Sequence, residues 1–177
     1  SNVLKTKMLL ALSTFHLNHG DRLMAAENLK AAESQILGVK NKTELLIEIA
    51  TINAQLGNAN IAKGYLQNLG KSRGQISSYI LIRNLLLQAN VYVFLKDKKN
   101  KDDVLTEADK IENDLTISVD ETEAGHILCQ LIINSIRLGR YSKLDLYYNQ
   151  LLLKQTDVNE PEFQQAVAMY QDYKKQY

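Results

Sequence analysis

Proline, cysteine and tryptophan are nearly missing from this chain of 177 residues, which holds one Pro, one Cys and no Trp. Proline breaks helix interiors while straight-chain residues tolerate them, so its absence beside abundant Leu, Ile, Ala, Lys, Gln and Asn points to an all-α protein. A lone Cys129 excludes an internal disulfide and a thiolate metal cluster, which favours a reducing compartment and a cytoplasmic setting. Charge of one sign is also missing. Lys and Arg total 21 against 20 acidic residues, a net charge of +1, so no global field draws the chain onto nucleic acid or anionic lipid. Long apolar runs are absent too. The longest, Ile80 to Leu95, is interrupted by Arg83, Asn84, Gln88 and Asn90 and falls short of the ~18–20 residues that span a bilayer, so no membrane contact is expected. The segment Gly70-Lys-Ser-Arg-Gly74 lacks the first glycine and the preceding strand of a phosphate loop and reads as a turn. The opening Ser1-Asn2, without methionine, reads as a cloning scar or an internal boundary, upstream of which a signal, anchor or DNA-binding segment has room to stand.

What is present is a repeat. Leu12, Gly20-Asp21, Ala25, Leu29 and Ala32 are followed by Ile49, Gly57-Asn58, Ala62, Leu66 and Leu69, then by Leu131, Gly139-Arg140, Leu144, Tyr148 and Leu151. Each copy sets an apolar helical stripe on either side of a glycine turn, so each is an antiparallel helix pair. With 45% hydrophobic and 23% charged residues the composition is globular, and one domain over 3–177 is expected.

The pairs are expected at 3–38, 43–72, 75–117 and 120–156, with a capping helix over 160–176. In the first, Met8, Leu9, Leu12, Phe15 and His16 have the spacing of one buried face, and Asp21 caps the returning helix. That helix, about Asp21 to Leu37, carries the small residues Ala25, Ala26 and Ala32, which let two backbones approach. The second pair is lined by Leu46, Ile49, Ala50 and Asn53, then by Ile61, Ala62, Tyr65, Leu66 and Leu69. The third turns through the charged stretch Lys96 to Asp103 in place of glycine, and a two-residue insertion there aligns Val104, Ala108 and Ile111 with Ala25, Leu29 and Ala32. The fourth is lined by Leu128, Leu131, Ile132 and Ser135, then by Leu144, Tyr147, Tyr148 and Leu151. Asp120 with Glu123, and Asn159 with Glu162, have capping-box spacing, and Pro161 suits a first helical turn. Taking Gly20, Gly57, Asp97 and Gly139 as equivalent, the steps are 37, 40 and 42 residues.

The series Leu9, Leu12, Ser13, His16, Gly20-Asp21, Ala25, Leu29 and Ala32 resembles the tetratricopeptide repeat. Leu46, Ile49, Ala50, Asn53, Gly57-Asn58, Ala62, Leu66 and Leu69 follow the same pattern, as do Leu128, Leu131, Ile132, Gly139-Arg140, Leu144, Tyr148 and Leu151. The resemblance implies a right-handed superhelical array of about four helix pairs plus a cap, acting as a protein- or peptide-binding scaffold without catalysis. It also implies that the first helix of each pair lines a concave groove. The lining would be Lys7, Leu10, Thr14 and Asn18; Glu44, Ile47, Glu48, Thr51 and Gln55; Asn84, Leu87, Gln88 and Val91; and His126, Gln130, Ile133 and Arg137. Relatives that clamp a C-terminal carboxylate use Lys and Asn near the positions of Leu10, Thr14 and Glu48, none of which is basic here, so that mode is disfavoured. The amides Asn84, Gln88 and Gln130 suit an extended peptide backbone, since amides both donate and accept. The alternative that the resemblance implies is a ligand-sensing or oligomerisation segment of a larger bacterial regulator, with a homo-oligomer as its form.

Chemistry has thin support. His16 and His19 share a helix face near Asp21 but lack a third convergent ligand, and metal sites need ligand count as well as spacing. His126 and Cys129 lie one helical turn apart without an oxyanion donor in sight. The lysines and aspartates of Lys96 to Asp103 largely cancel, which fits a solvated loop. Tyr147, Tyr148, Tyr170, Tyr173 and Tyr177 are read mainly as a helix seam. No cofactor or metal is expected, and no catalytic residue is assigned.

Overall fold

A computed structural model describes residues 1–40, 42–69, 77–115, 124–154 and 158–177. Among them are nine helices and no strand: α1 (Asn2–Asn18), α2 (Arg22–Ile36), α3 (Thr43–Gln55), α4 (Ala59–Gln67), α5 (Ser78–Phe94), α6 (Lys98–Asn113), α7 (Ala124–Arg137), α8 (Leu144–Leu153) and α9 (Pro161–Gln176). The protein is all-α, and no described helix is long and apolar enough to cross a membrane. Two compact units form, α1–α4 with residues 94–96, and α5–α9 without them. The Gly70–Gly74 turn, Asn41 and the Asp120/Glu123 capping box lie outside the described residues.

One turn geometry recurs four times. Gly20, Gly57 and Gly139 have φ of 79°, 89° and 68°, and Lys96 adopts 56°. After each, the next amide donates five residues back: Asp21 to His16, Asn58 to Asn53, Asp97 to Tyr92 and Arg140 to Ser135, all at 2.8–2.9 Å. This left-handed cap satisfies carbonyls that a helix end leaves orphaned. Asp21 and Asp97 then cap the following helices by accepting from Met24 N and Asn100 N. The equivalent of Gly20 is therefore Lys96 and not Asp97. With that anchor Ala108 falls twelve residues on, as Ala32 does from Gly20 and Leu151 from Gly139, and all three are fully buried. No two-residue insertion is needed.

In the first unit, α2 buries Ala25, Leu29, Ala32 and Ile36, whereas Ala26 faces solvent. Ser13 and Ala25 are both fully buried, and the Ser13 hydroxyl donates to the Ala25 carbonyl at 2.7 Å, so small side chains let α1 and α2 meet closely. Helix α3 packs against both, and its Leu45, Ile49 and Ile52 share a core with Leu10, Leu29, Ala32 and Ile36. Helix α4 closes on α3 with Ala62 and Leu66. The stripe expected to be buried on α1 is rotated. Thr6, Leu10 and Ser13 are buried, while Met8, Leu12 and Phe15 are about half exposed, because α2 and α3 cover one flank of α1 and nothing described covers the other.

In the second unit α7 packs against α8 and α9. The core joins Ile82 and Leu86 of α5, Ala108 of α6, Leu128, Leu131 and Ile132 of α7, Leu144, Tyr147 and Leu151 of α8, and Ala166 of α9. Tyr148 stacks on Tyr170 with centroids 3.8 Å apart, and Tyr141 on Tyr173 at 4.6 Å, so the tyrosines form the α8–α9 seam and the rim beside it. Helix α9 has Pro161 in its first turn, but its N-cap is Glu160, without a side-chain cap bond. Glu162, expected in a capping box with Asn159, turns its carboxylate to His126.

In the second and fourth pairs a tyrosine eight residues past the turn ties the returning helix to the returning helix before it. Tyr65 donates to Glu33 of α2 at 3.0 Å, and Tyr147 donates to Glu112 of α6 at 2.7 Å.

Left-handed backbone is strained for any residue with a Cβ, so Lys96→Gly is expected to raise stability by roughly 0.5–1 kcal/mol and Gly57→Ala to lower it by about 1 kcal/mol. Urea unfolding midpoints measure both. A midpoint unmoved or lowered in Lys96→Gly would show that the turn carries no strain.

Candidate functional site

The polar positions expected to line a binding face fall on regular helix stripes. Lys7, Thr14 and Asn18 share one face of α1, and Glu44, Glu48, Thr51 and Gln55 share one face of α3. These helices pack side by side, which gathers Lys7, Glu44 and Glu48: burial pushes the Glu48 carboxyl up, the Glu44 charge adds to it, and Lys7 opposes. Thr51 donates to the Ile47 carbonyl at 2.8 Å, so its hydroxyl is spent within the helix. Asn18 and Gln55 are exposed, and Thr14 is half-buried.

In the second unit, His126, Gln130 and Arg137 follow one stripe of α7. His126 Nδ1 meets Glu162 Oε2 of α9 at 2.5 Å, fastening the last helix. Arg137 is exposed and Gln88 half-buried. Asn84 is buried and accepts from the Arg83 guanidinium at 3.1 Å, so it does not stand on an open wall. Of the apolar members of the expected lining, Leu10, Ile47, Val91 and Ile133 are likewise buried and Leu87 is half-buried, since aliphatic side chains at these positions serve the core.

A polar track runs between α5 and α7. Asn90 Nδ2 donates to Asn134 Oδ1 at 2.5 Å, and Asn134 Nδ2 donates to the Gln130 carbonyl at 2.7 Å. Beside it, the side-chain oxygen of Gln130 is buried and accepts no hydrogen bond among the described residues. A buried amide oxygen without a donor costs on the order of 1–3 kcal/mol, which a bound donor removes.

Cys129 is buried, and burial, with the charges of Glu162 and Glu160 behind it, pushes its thiol up to about 12. It stays protonated at neutral pH, and His126 Nδ1 is engaged by Glu162, so the pair lacks the thiolate of a nucleophile. His16 pairs with Asp21 at 3.7 Å and His19 bonds the Phe15 carbonyl at 2.8 Å. Among the described residues no three His, Cys, Asp or Glu side chains converge on a metal position.

An ionic knot that patterning did not reveal joins α6 to the residues of the α7–α8 turn and α8. Arg140 bridges Asp109 at 2.7 Å and Glu112 at 2.5 Å, and Glu112 also accepts from Tyr147. The recurrent tyrosine eight residues past the turn, with an acid on the previous returning helix, is the signal that marks it.

No family model matches the chain, and no curated protein and no solved structure matches it either.

A carboxyl raised by burial favours the folded state when protonated, so its contribution is present at low pH and lost as pH rises through the folded value. Glu48→Gln is therefore expected to raise the Tm at pH 7, with the gain shrinking as pH falls through the raised folded value and gone below the ordinary value of 4.5. Thermal melts across pH 3.5–8 measure it, and a gain independent of pH contradicts the assignment. Removing Arg140 strands the Glu112 charge, so Arg140→Met is expected to cost about 3–5 kcal/mol, most of it recovered in the Arg140→Met, Glu112→Leu double variant. Chemical unfolding of the three proteins decides this.

Proposed function

We propose that the chain is a non-catalytic scaffold of the tetratricopeptide-like kind, whose outgoing helices present a polar lining to an extended protein or peptide segment. The observation that carries this reading is the unpartnered Gln130 oxygen beside the Asn90–Asn134 pair. A peptide backbone offers the N–H donor that Gln130 lacks, and the Gln88 amide both donates and accepts. The groups around it are fixed before any partner arrives: Asn134 is bonded on both sides, and His126 is held by Glu162. A preorganised lining orders little on binding, so a few amide contacts suffice for useful affinity. The recurring turns and the tyrosine–carboxylate ties support a stacked array of pairs as the frame. The single buried thiol of Cys129 suits a cytoplasmic setting. No cofactor enters the mechanism.

Selection of binders from a displayed random-peptide library with the intact chain tests the reading. Selected peptides are expected to lose at least tenfold in affinity for the Gln88→Ala, Gln130→Ala, Arg137→Ala triple variant while its far-UV circular dichroism stays unchanged. Affinity indifferent to the triple substitution would move binding away from this lining.

A further inference from the structure

Helix α1 carries an apolar stripe that no described residue covers. Leu4, Met8, Leu12 and Phe15 recur at helical spacing and are 59%, 58%, 46% and 53% exposed, with Val3 and Leu23 open beside them. Scattered exposed leucines are ordinary, but a four-residue stripe along a whole helix is not.

The second helix pair shows what such a stripe does. Counting from the turn glycines Gly20 and Gly57, Met8, Leu12 and Phe15 of α1 correspond to Leu45, Ile49 and Ile52 of α3. Those three are 5%, 0% and 1% exposed, buried in one core with Leu29, Ala32 and Ile36 of α2. At this position an outgoing helix is seated against another helix. On α1 the seat is empty.

We propose that a second copy of this chain fills it, the two molecules packing with their α1 helices antiparallel. The stripe of α2 is already covered by α3, so another copy cannot offer it. Among the described residues the other large exposed apolar side chains stand singly or in pairs, as Val93 with Phe94 and Leu152 with Leu153. Among the described residues the complement of matching length is α1 itself. Antiparallel pairing sets Leu4 against Phe15 and Met8 against Leu12 of the second copy. It also separates the two Lys5 side chains, which parallel pairing would bring together, and opposes the helix dipoles favourably. Helix α9 exposes Gln164, Gln165, Gln171, Asp172 and Lys175, so it offers no apolar seat for α1 of another copy, and the α1–α1 pairing closes as a twofold dimer. With roughly 100 Å² of apolar side chain open at each stripe position and its neighbours, the pair buries on the order of 1,000 Å², where specific interfaces begin.

Sedimentation equilibrium of the full chain from 1 to 100 µM tests the proposal. The wild type is expected to form a dimer in this range. Leu12→Glu with Phe15→Glu is expected to weaken the dimer at least 100-fold with circular dichroism and Tm retained, since both side chains are open in the monomer. Leu152→Glu with Leu153→Glu, equally exposed elsewhere, should leave it intact. Mixed Met8→Cys and Leu12→Cys copies should cross-link on oxidation more readily than either alone. A wild type monomeric at 100 µM would assign the stripe to a helical segment of a different polypeptide and overturn the proposal, as would a dimer indifferent to the Leu12/Phe15 pair.

Discussion

Each apolar stripe stays dry only while a neighbouring helix lies on it. Leu29, Ala32 and Ile36 of α2 are buried because Leu45, Ile49 and Ile52 of α3 share their core, and Leu128, Leu131 and Ile132 of α7 are buried among α5, α6, α8 and α9. A helix pair cannot bury both flanks by itself, and the next pair is part of its folding free energy. The same constraint accounts for the two chain ends. Helix α9 has one buried residue, Ala166, and a largely polar remainder, whereas α1 keeps an apolar flank open.

Turn chemistry sets how the pairs are spaced. A left-handed residue followed by a backbone bond five residues back stops the outgoing helix at a fixed point and aims the returning one. Asp21 and Asp97 use the next position as a cap. Arg140 uses it to reach Asp109 and Glu112, so one backbone geometry serves a helix end in one copy and a buried ionic tie in another.

Much of the fold was legible because its signals are local. Proline scarcity, the Gly20, Gly57 and Gly139 turns, and the stripes of α2, α3, α7 and α8 all depend on near neighbours in sequence. What patterning misplaced depends on what lies across a gap. Met8, Leu12 and Phe15 have the spacing of a buried face, and spacing is blind to whether a helix comes to cover it. The third turn was found in its charged stretch but anchored one residue late, at Asp97, because nothing about Lys96 announces left-handed backbone. Of the expected lining, the polar positions Lys7, Glu44, Glu48, Gln88, Gln130 and Arg137 keep at least partial access to solvent, and Asn84 does not. Its neighbour Arg83 needed an acceptor in a buried setting, a demand visible only in three dimensions. The Asn90–Asn134 pair and the Glu112 knot join residues far apart in the chain, beyond the reach of any periodicity.

The aromatic inventory has an optical consequence. The chain has no tryptophan, and of its nine tyrosines Tyr141, Tyr147, Tyr148, Tyr170, Tyr173 and Tyr177 belong to α8, α9 and their flanks. Ultraviolet emission and near-ultraviolet dichroism therefore arise mostly from one end of the sequence, where ring stacking makes them sensitive to how tightly the last helix is seated. Native fluorescence is a built-in reporter of fraying at that terminus and nearly silent for α1 to α3, which hold no tyrosine.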